Sequence, residues 1–537
     1  MNNKPKLGGA VGIIVFFIIA VIIINAFNSI FDGNIIDNIF KKDDKTFRII
    51  SSNAVSFYDD ELYKFAEKEK IKLTIDHYDD LEIIELLNSE TNNYDGVWIS
   101  NSIWLYMLNN SYLVKNNKSI AITPVVMGIK KSKAQDLGFV NKDISNQDIL
   151  NAIKNNNLKY VMNSVTKTNT GATAYLNLLN SLAGSPELLK LEMLKDQKIK
   201  NDLKEFFKGV ERVSGDETYL KDMFIKSDYE AIINYESTLI NLNKELEKNN
   251  KEPLYLTYPK DGVAINDMPF GYVDRLQNKE ENFNKILKFL RSKETSNKLK
   301  EYGFRTWFGG VTNEVDKNVF NPSWGIDTSK YLMPFKYPSK TVISEAINLY
   351  IEELRKPTHT VFVLDVSGSM NSNNGLVELK ESMNYILNRE TTSKDYIQFS
   401  ASDKITVITF NSRVDKVSLT FNGDDTSRLI QDINSLYANG GTNIYDSSIK
   451  ALDILSKESD EYMKTVILMT DGESNNGSYS SLYHYYISNH LDIPIYSITF
   501  GNSSDRQLDE IATLTNAKIF DGKSGLVAAF KEVRSYS

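Results

Sequence analysis

The chain has 537 residues, of which 41% are hydrophobic, and it carries a formal net charge of -8. This length predicts roughly two to four folded domains with substantial apolar cores. The mildly acidic balance argues against nucleic acid as a partner. The sequence contains no cysteine, which excludes disulfides, thiol catalysis and zinc–thiolate sites.

The first informative segment is the apolar run of residues 7–24, which follows Lys4 and Lys6. As a helix it would span about 27 Å, close to the thickness of a bilayer core. The flanking lysines favour a cytoplasmic N-terminus. We therefore expect a single membrane helix within residues 1–28, a juxtamembrane spacer over 29–45, and the rest of the chain outside the cytoplasmic membrane. A cleaved signal peptide is the alternative, but residues 25–29 offer no small-x-small cleavage site.

Short strands alternate with helices from residue 46 to about residue 310, a pattern typical of parallel α/β domains. Two long extended stretches, 119–130 and 253–264, interrupt this alternation. We therefore predict two α/β lobes, as in a periplasmic binding protein, with these stretches as the crossings between them. The predicted strands include 47–50, 72–76 and 95–99, and the predicted helices are 59–70, 146–155, 171–183 and 282–292.

Residues 311–357 form a connector that carries Pro322, Pro334 and Pro338 and then an amphipathic helix over about 342–354. The alternation resumes over residues 358–537 and predicts a second α/β domain, which is Rossmann-like. Its strands are predicted at 360–364, 405–410, 465–470 and 494–500, and its helices at 376–389, 426–436, 444–455 and 505–514.

Oxygen-bearing side chains occur where strands of this second domain end. An apolar strand leads to Asp365, and Ser367 and Ser369 alternate with it on the following loop. Two further oxygens come from distant loops, the hydroxyl of Thr442 after a glycine pair and the carboxylate of Asp471 after another strand. Ligands of open α/β sheets bind at the carboxyl ends of the strands. Magnesium prefers about six oxygen ligands, some of them water, so these residues are candidates for a magnesium site.

This pattern resembles the von Willebrand factor A (VWA) and integrin I-domain family, with Asp-x-Ser-x-Ser, then a distant Thr, then a distant Asp. The resemblance covers roughly residues 358–537. It implies a complete metal-ion-dependent adhesion site, in which Mg²⁺, or Mn²⁺ in its place, engages a carboxylate of a protein partner. The implied ligands, direct or through water, are Asp365, Ser367, Ser369, Thr442 and Asp471. The alternative is a degenerate VWA fold that uses these residues as helix caps.

Residues 46–310 resemble a type II extracytoplasmic solute-binding protein in segments 49–53, 94–98, 124–132 and 163–173. In the last segment, hydroxyls and amide groups at a helix start would stabilise an anion. The resemblance therefore implies a cleft for a small anionic or polar solute. A repurposed fold that binds nothing is the alternative. The candidate cleft residues are Ser51, Asn53, Ser100, Asn101, Ser164, Thr166, Thr173, Tyr235 and Glu236.

Two binding modules behind an anchor predict an extracytoplasmic binding or sensing protein that crosses the cell membrane once, with its N-terminus in the cytoplasm. Catalysis is not expected, because the metal uses both carboxylates and no general base is evident. A transporter-associated solute receptor and a metal-dependent hydrolase are the alternatives. The predicted anchor argues against a cytoplasmic chelatase-type VWA subunit.

Overall fold

The computed structural model describes residues 45–308, 310, 316–372, 374–420, 422–499, 505–523 and 525–536. The predicted membrane helix and all but the last residue of the predicted spacer lie outside these ranges. Within the described residues, no helix is both long enough and apolar enough to cross a membrane.

The strands of the described chain are β1 Phe47–Ser52, β2 Leu73–Tyr78, β3 Gly96–Trp98, β4 Val114–Ser119, β5 Ala121–Lys130, β6 Tyr160–Asn163, β7 Val210–Ser214, β8 Ala231–Tyr235, β9 Leu254–Thr257, β10 Ala264–Asn266, β11 Pro269–Val273, β12 Arg305–Thr306, β13 Thr358–Asp365, β14 Lys404–Phe410, β15 Val414–Thr420, β16 Met463–Thr470, β17 Ile495–Thr499 and β18 Ile519–Asp521.

The helices are α1 Asp59–Lys68, α2 Asp80–Asn88, α3 Lys131–Asp136, α4 Asn146–Lys154, α5 Asn169–Leu182, α6 Gln197–Lys208, α7 Glu217–Lys226, α8 Glu236–Lys248, α9 Glu280–Leu290, α10 Lys293–Glu301, α11 Lys340–Leu349, α12 Gly375–Leu387, α13 Arg389–Thr392, α14 Ser427–Asn434, α15 Ile444–Ser456, α16 Tyr479–Ser488, α17 Asp505–Leu514 and α18 Leu526–Arg534.

The strands form three sheets. The first has the order β2-β1-β3-β11-β4, with β11 antiparallel to both of its neighbours. The second has the order β10-β5-β8-β6-β7, and β9 and β12 also pair with β5. These two sheets are the cores of the two predicted lobes. The third sheet, β15-β14-β13-β16-β17-β18, is parallel except for the antiparallel edge strand β15.

Among the described residues the chain crosses between the two lobes at three places, the last of them between α10 and β12, which pairs with β5. It passes from the first sheet to the second at Ile120, between β4 and β5, within the predicted stretch 119–130. It returns through Asp267 and Met268, between β10 and β11. The predicted return at 253–264 is therefore wrong, because this stretch holds β9 and enters β10, which both pair with β5 in the second sheet. Buried strands and crossings share the same extended apolar pattern, so periodicity does not separate them.

The central strands β13 and β16 of the third sheet are buried along almost their whole length, because helices cover both faces of the sheet. Alternate residues of β13 enter opposite cores. Phe362 packs in the core that contains Phe530, whereas Val363 packs in the core that contains Leu452. Each such side chain contributes about 1.5–3 kcal/mol through burial. This two-sided packing fixes the strand end from which Asp365 emerges.

The second lobe is docked onto the domain of the third sheet. Arg212 on β7 is only 4% exposed. Its guanidinium donates to Asp492 Oδ1 at 3.1 Å and to the Tyr496 hydroxyl at 3.3 Å. It also donates to the carbonyl of Asn516 at 3.0 Å, which accepts from the Tyr219 hydroxyl at 2.7 Å as well. A buried charge requires such partners, so these bonds define one relative position of the two domains.

The predicted connector helix is present as α11 and continues as a π-helical turn over Tyr350–Leu354. The hydroxyl of Tyr175, on α5 of the second lobe, donates to the carbonyl of Ala346 at 2.8 Å. The connector helix is therefore packed on the second lobe.

Candidate metal centre and solute cleft

Asp365 lies at the end of β13 with its side chain fully buried. Its Oδ1 accepts from the Ser367 amide at 2.8 Å, and its Oδ2 accepts from the Thr470 hydroxyl at 2.6 Å. Burial raises the pKa of Asp365 to about 6, although the hydrogen bonds from Thr470 and Ser367 lower it, and the nearby Asp471 carboxylate raises it further. The carboxylate is thus held at a fixed place at the edge of the sheet.

The other predicted metal ligands continue from this point as a row of oxygens. The hydroxyl oxygens of Ser367 and Ser369 lie 2.9 Å apart. Ser369 Oγ donates to Asp471 Oδ1 at 2.8 Å, and burial raises the pKa of that carboxyl above its ordinary value. Side chains from the loops after β13 and β16 therefore meet at one place, as predicted from the strand ends.

Thr442 lies on the loop before α15 and is buried. This loop contacts the loop that follows β13, because the Gly368 amide donates to the carbonyl of Gly440 at 3.0 Å. The Thr442 carbonyl also accepts from the Asn475 amide at 3.0 Å, four residues after Asp471. The structure thus ties the Thr442 loop to both of the other loops.

The donor set fits a magnesium ion. Around Mg²⁺ with bonds of about 2.0–2.1 Å, neighbouring corners of an octahedron lie about 2.9 Å apart. The pairs Ser367–Ser369 and Ser369–Asp471 have oxygen separations of 2.9 and 2.8 Å. No cluster of three or more His, Asp or Glu side chains suited to a metal occurs in the described part of the chain. The candidate centre is thus built from hydroxyls and two carboxylates.

Two adjoining cavities lie between the lobes. The larger, of about 410 Å³, is lined by Asp79 and Asp80 from the first lobe, Lys167 and Glu217 from the second, and Glu532 from α18. The smaller, of about 330 Å³, also contains Glu217 in its lining, together with aromatic, amide and hydroxyl side chains and Lys221.

Two of the predicted cleft residues line these cavities. The Asn53 Nδ2 donates to Asp79 Oδ1 at 3.0 Å, and Tyr235 lies on the wall of the smaller cavity. Ser100 does not line either cavity, but it contacts a residue that does. Its amide and hydroxyl donate to Asp80 at 3.0 and 2.5 Å. Ser100 therefore positions a carboxylate at the cavity.

Three further candidates are buried within the lobes. The Ser51 hydroxyl donates to a backbone carbonyl of β3 at 3.4 Å, and Asn101 Nδ2 donates to Asn266 Oδ1 at 2.5 Å. Glu236 accepts two bonds from the Arg305 guanidinium, at 2.7 and 2.8 Å. These side chains support the cleft from inside and are not among those that line the two cavities.

The remaining candidates belong to the helix start that was expected to bind an anion. Ser164 Oγ lies 3.2 Å from Thr166 Oγ1, and the Thr173 hydroxyl donates to the backbone one helical turn earlier at 2.7 Å. Thr168 caps α5 by accepting from the Gly171 amide at 3.1 Å. This helix start is thus already capped by its own residues.

Sequence patterns did not single out the acidic lining of the larger cavity. Asp79 and Asp80 directly follow β2, and their place at the carboxyl end of a parallel strand is the signal that identifies them. Glu217 begins α7, and Glu532 lies on α18 of the C-terminal domain. No local pattern connects Glu532 with a cleft between two other lobes.

The pKa values of two of these carboxyls lie well above their ordinary values. Burial raises the pKa of Asp80 to about 6, although the hydrogen bonds from Ser100 lower it. Burial raises the pKa of Glu217 to about 8; a bond from Thr170 lowers it, and the charges of Asp80 and Asp79 raise it further.

Several solved structures are similar to this chain. The periplasmic binding protein AfuA from Actinobacillus pleuropneumoniae, with exogenous fructose-6-phosphate bound, is 14% identical with a TM-score of 0.43, over 58% of this chain and 99% of its own. The ferric binding protein from Campylobacter jejuni is 16% identical with a TM-score of 0.42, over 57% and 98%. A von Willebrand factor type A structure from Catenulispora acidiphila is 18% identical with a TM-score of 0.29, over 34% and 43%.

Family comparisons divide the chain at the same places as its sheets. The bacterial extracellular solute-binding protein family matches residues 51–305, which contain most of the first two sheets. The von Willebrand factor type A domain family matches residues 360–530, which contain the third. Among curated proteins, no sequence matches the chain. The chain therefore contains an extracellular solute-binding domain followed by a VWA domain, a combination that supports a binding protein.

Proposed function

We propose that this protein is a membrane-anchored extracytoplasmic binding protein whose VWA domain engages an acidic group of a protein partner through Mg²⁺ or Mn²⁺. The observation that carries the proposal is the row of oxygens from Ser367 through Ser369 to Asp471, spaced at 2.9 and 2.8 Å. This spacing matches neighbouring corners of a magnesium octahedron.

Asp365, Ser367, Ser369, Thr442 and Asp471 would hold the ion, directly or through water. When bound, the ion supplies an electrophile for an external carboxylate, because two protein carboxylates only balance its charge. Tyr437, which is 69% exposed, lies on the loop that also carries Gly440. It would offer the partner an aromatic surface on that loop.

The test is calorimetric titration of the purified protein with Mg²⁺, followed by capture of the partner in magnesium or in chelator. We expect one principal metal site and partner capture only in magnesium. Metal binding without any change in partner capture between magnesium and chelator would refute the adhesion role.

The solute-binding domain supports a second candidate function, that of a transporter-associated receptor for a small polar solute. The observation in its favour is the pair of adjoining interlobe cavities, of about 410 and 330 Å³. Cavities of a few hundred Å³ suit small-molecule ligands. Saturable calorimetric binding of a small metabolite would support this role, and a metal-dependent hydrolase would instead require turnover of a substrate.

The membrane anchor is part of the same proposal. It rests on the apolar run of residues 7–24 behind two lysines. Protease treatment of intact cells, under conditions in which the protease passes the outer envelope, should cleave the chain beyond residue 45. Full protection of these residues would contradict the proposed topology.

A further inference from the structure

The larger interlobe cavity has a third wall that does not belong to the solute-binding domain. Asp79 and Asp80 come from the first lobe, and Lys167 and Glu217 come from the second. Glu532 comes from α18 of the VWA domain. The lining of the cavity is therefore composite, because one of its carboxylates belongs to the VWA domain.

Close packing holds this third wall in place. A methyl group at Gly215, which also lines the cavity, would lie 1.8 Å from Ser535 Oγ and 3.1 Å from a ring carbon of Tyr536. Only glycine permits this approach without displacement. Next to it, Lys518 Nζ of the VWA domain lies 3.1 Å from Asp216 Oδ2 of the second lobe. The end of α18 is thus fixed against the second lobe, three residues from Glu532.

The cavity is short of positive charge. Lys167 Nζ lies 3.4 Å from Asp79 Oδ2, and Asp216 is paired with Lys518. Among the described residues, no cation forms an ion pair with any of three further lining carboxylates. They are Asp80, Glu217 and Glu532.

Asp80 shows most clearly that a cationic partner is missing. Its side chain is only 6% exposed, and it accepts hydrogen bonds from the neutral Ser100. Burying a carboxylate without a cation is costly, and the cost appears as the raised pKa of Asp80, about 6, which burial causes. A positively charged ligand at the cavity would remove this cost.

The arrangement suits an organic cation better than a metal ion. The adjoining cavity, which shares Glu217, is lined by four aromatic side chains and by Lys221, whose charge is paired with Glu245. Among the aromatic side chains, the ring of Phe57 stacks on Phe304 at 5.1 Å between centroids and lies 4.9 Å from the ring of Tyr302. Aromatic faces and spread carboxylates together recognise ammonium groups with an apolar body.

We propose that the cleft binds a small organic cation bearing an ammonium group, and that Glu532 of the VWA domain is one of its ligands. This inference rests on the proposed solute-binding function and names the class of its solute. It departs from the expectation of an anion, because five carboxylates and one lysine line the larger cavity.

The test uses full-length protein in detergent micelles at constant Mg²⁺. Calorimetry compares choline, putrescine and spermidine with phosphate and citrate. We expect an amine to bind more tightly than either anion. Glu532→Gln should weaken the best amine about twofold to fivefold, the effect of one partly exposed charge pair. Glu381→Gln, at an exposed VWA carboxylate, is the matched control and should leave the affinity unchanged.

Asp80→Asn is the second variant, since it keeps the shape of the side chain and removes its charge. We expect a larger loss of amine affinity than in Glu532→Gln, with thermal unfolding confirming that the variant is folded. Tighter binding of an anion, or equal amine affinity in Glu532→Gln and the wild type, would overturn the inference while leaving solute binding in place. Failure of every probe to bind would instead overturn the solute-binding function, and the inference with it.

Discussion

Ser369 and Asp471 are 102 positions apart in the chain, yet the hydroxyl of Ser369 donates to Asp471 Oδ1 at 2.8 Å. The contact joins the loops that follow two neighbouring parallel strands, β13 and β16. It places a neutral and a charged oxygen next to each other at the candidate metal centre.

This contact leads to a prediction for metal binding. Asp365→Ala should reduce Mg²⁺ affinity by more than about tenfold, because it removes one of two carboxylates. Ser369→Ala should reduce it less, because it removes a neutral oxygen. Calorimetry measures both, and Asp509→Ala, at an exposed carboxylate of the same domain, is the control. Full Mg²⁺ affinity in folded Asp365→Ala would show that the metal lies elsewhere.

A second prediction concerns acid stability. Asp403 is fully buried and accepts from the Arg355 guanidinium and, at 2.7 Å, from the Thr358 amide. Burial alone raises its pKa, but Arg355 holds the pKa of Asp403 below its ordinary value. The pair therefore stabilises the fold above the unfolded pKa of Asp403, and this contribution is lost as the pH falls through the lower folded pKa.

Urea unfolding at about pH 7 and about pH 3 tests this sign. Asp403→Asn should lower the free energy of unfolding by about 3–5 kcal/mol at neutral pH, because it leaves the Arg355 charge buried and unpaired. The variant should lose less stability on acidification than the wild type. Equal acid sensitivity of the two proteins would rule out Asp403 as a source of the effect.

A third prediction concerns the docking of the two domains. Gly215→Ala places a methyl group 1.8 Å from Ser535 Oγ and 2.8 Å from its Cβ. We expect a loss of about 1–3 kcal/mol from overpacking, and faster proteolysis of the connector. Gly310→Ala is the control, because nothing lies within 4 Å of its added methyl group. Identical unfolding curves for Gly215→Ala and the wild type would mean that the C-terminal residues shift without cost.

A fourth prediction concerns the pH dependence of the cleft. Burial raises the pKa of Asp80 to about 6 and that of Glu217 to about 8, and these groups face Asp79, Lys167 and Glu532 in the cavity. Choline carries a charge that does not titrate, so its affinity should rise from about pH 5 to about pH 9 as both carboxyls ionise.

Asp80→Asn should remove the part of this rise that lies near pH 6, while Glu381→Gln should keep all of it. Calorimetry with choline at several pH values gives the profile. Choline affinity that falls or stays constant with rising pH would contradict the prediction.

Sequence patterns predicted the third sheet well because its central strands are buried on both faces. The strand predicted at 360–364 is part of Thr358–Asp365, and the helix predicted at 505–514 is observed as Asp505–Leu514. The end of each strand could therefore be located, and with it Asp365 and Asp471. The edge strand Val414–Thr420 was not predicted, because its mostly exposed residues lack an apolar stretch.

The cleft was harder to predict, because its lining depends on how the two lobes and the C-terminal domain pack together. Ser164 and Thr166 followed a familiar helix-start pattern, but Thr168 satisfies that helix start locally. Glu532 reaches the cavity only through the docking of α18 against Gly215. Such contacts between distant segments leave no periodic signal in the chain.

The order of the first sheet has a consequence for how the chain folds during synthesis. Strand β11 lies between β3 and β4, and Trp98 on β3 donates to the carbonyl of Met268, 170 positions later. Until that segment has been synthesised, β3 keeps an unpaired edge and β4 has no neighbour in its sheet. Open strand edges promote aggregation, and such long-range pairing forms slowly. Strands β5 to β10 of the second lobe are made during this interval, so the first lobe depends on protection until synthesis passes Val273.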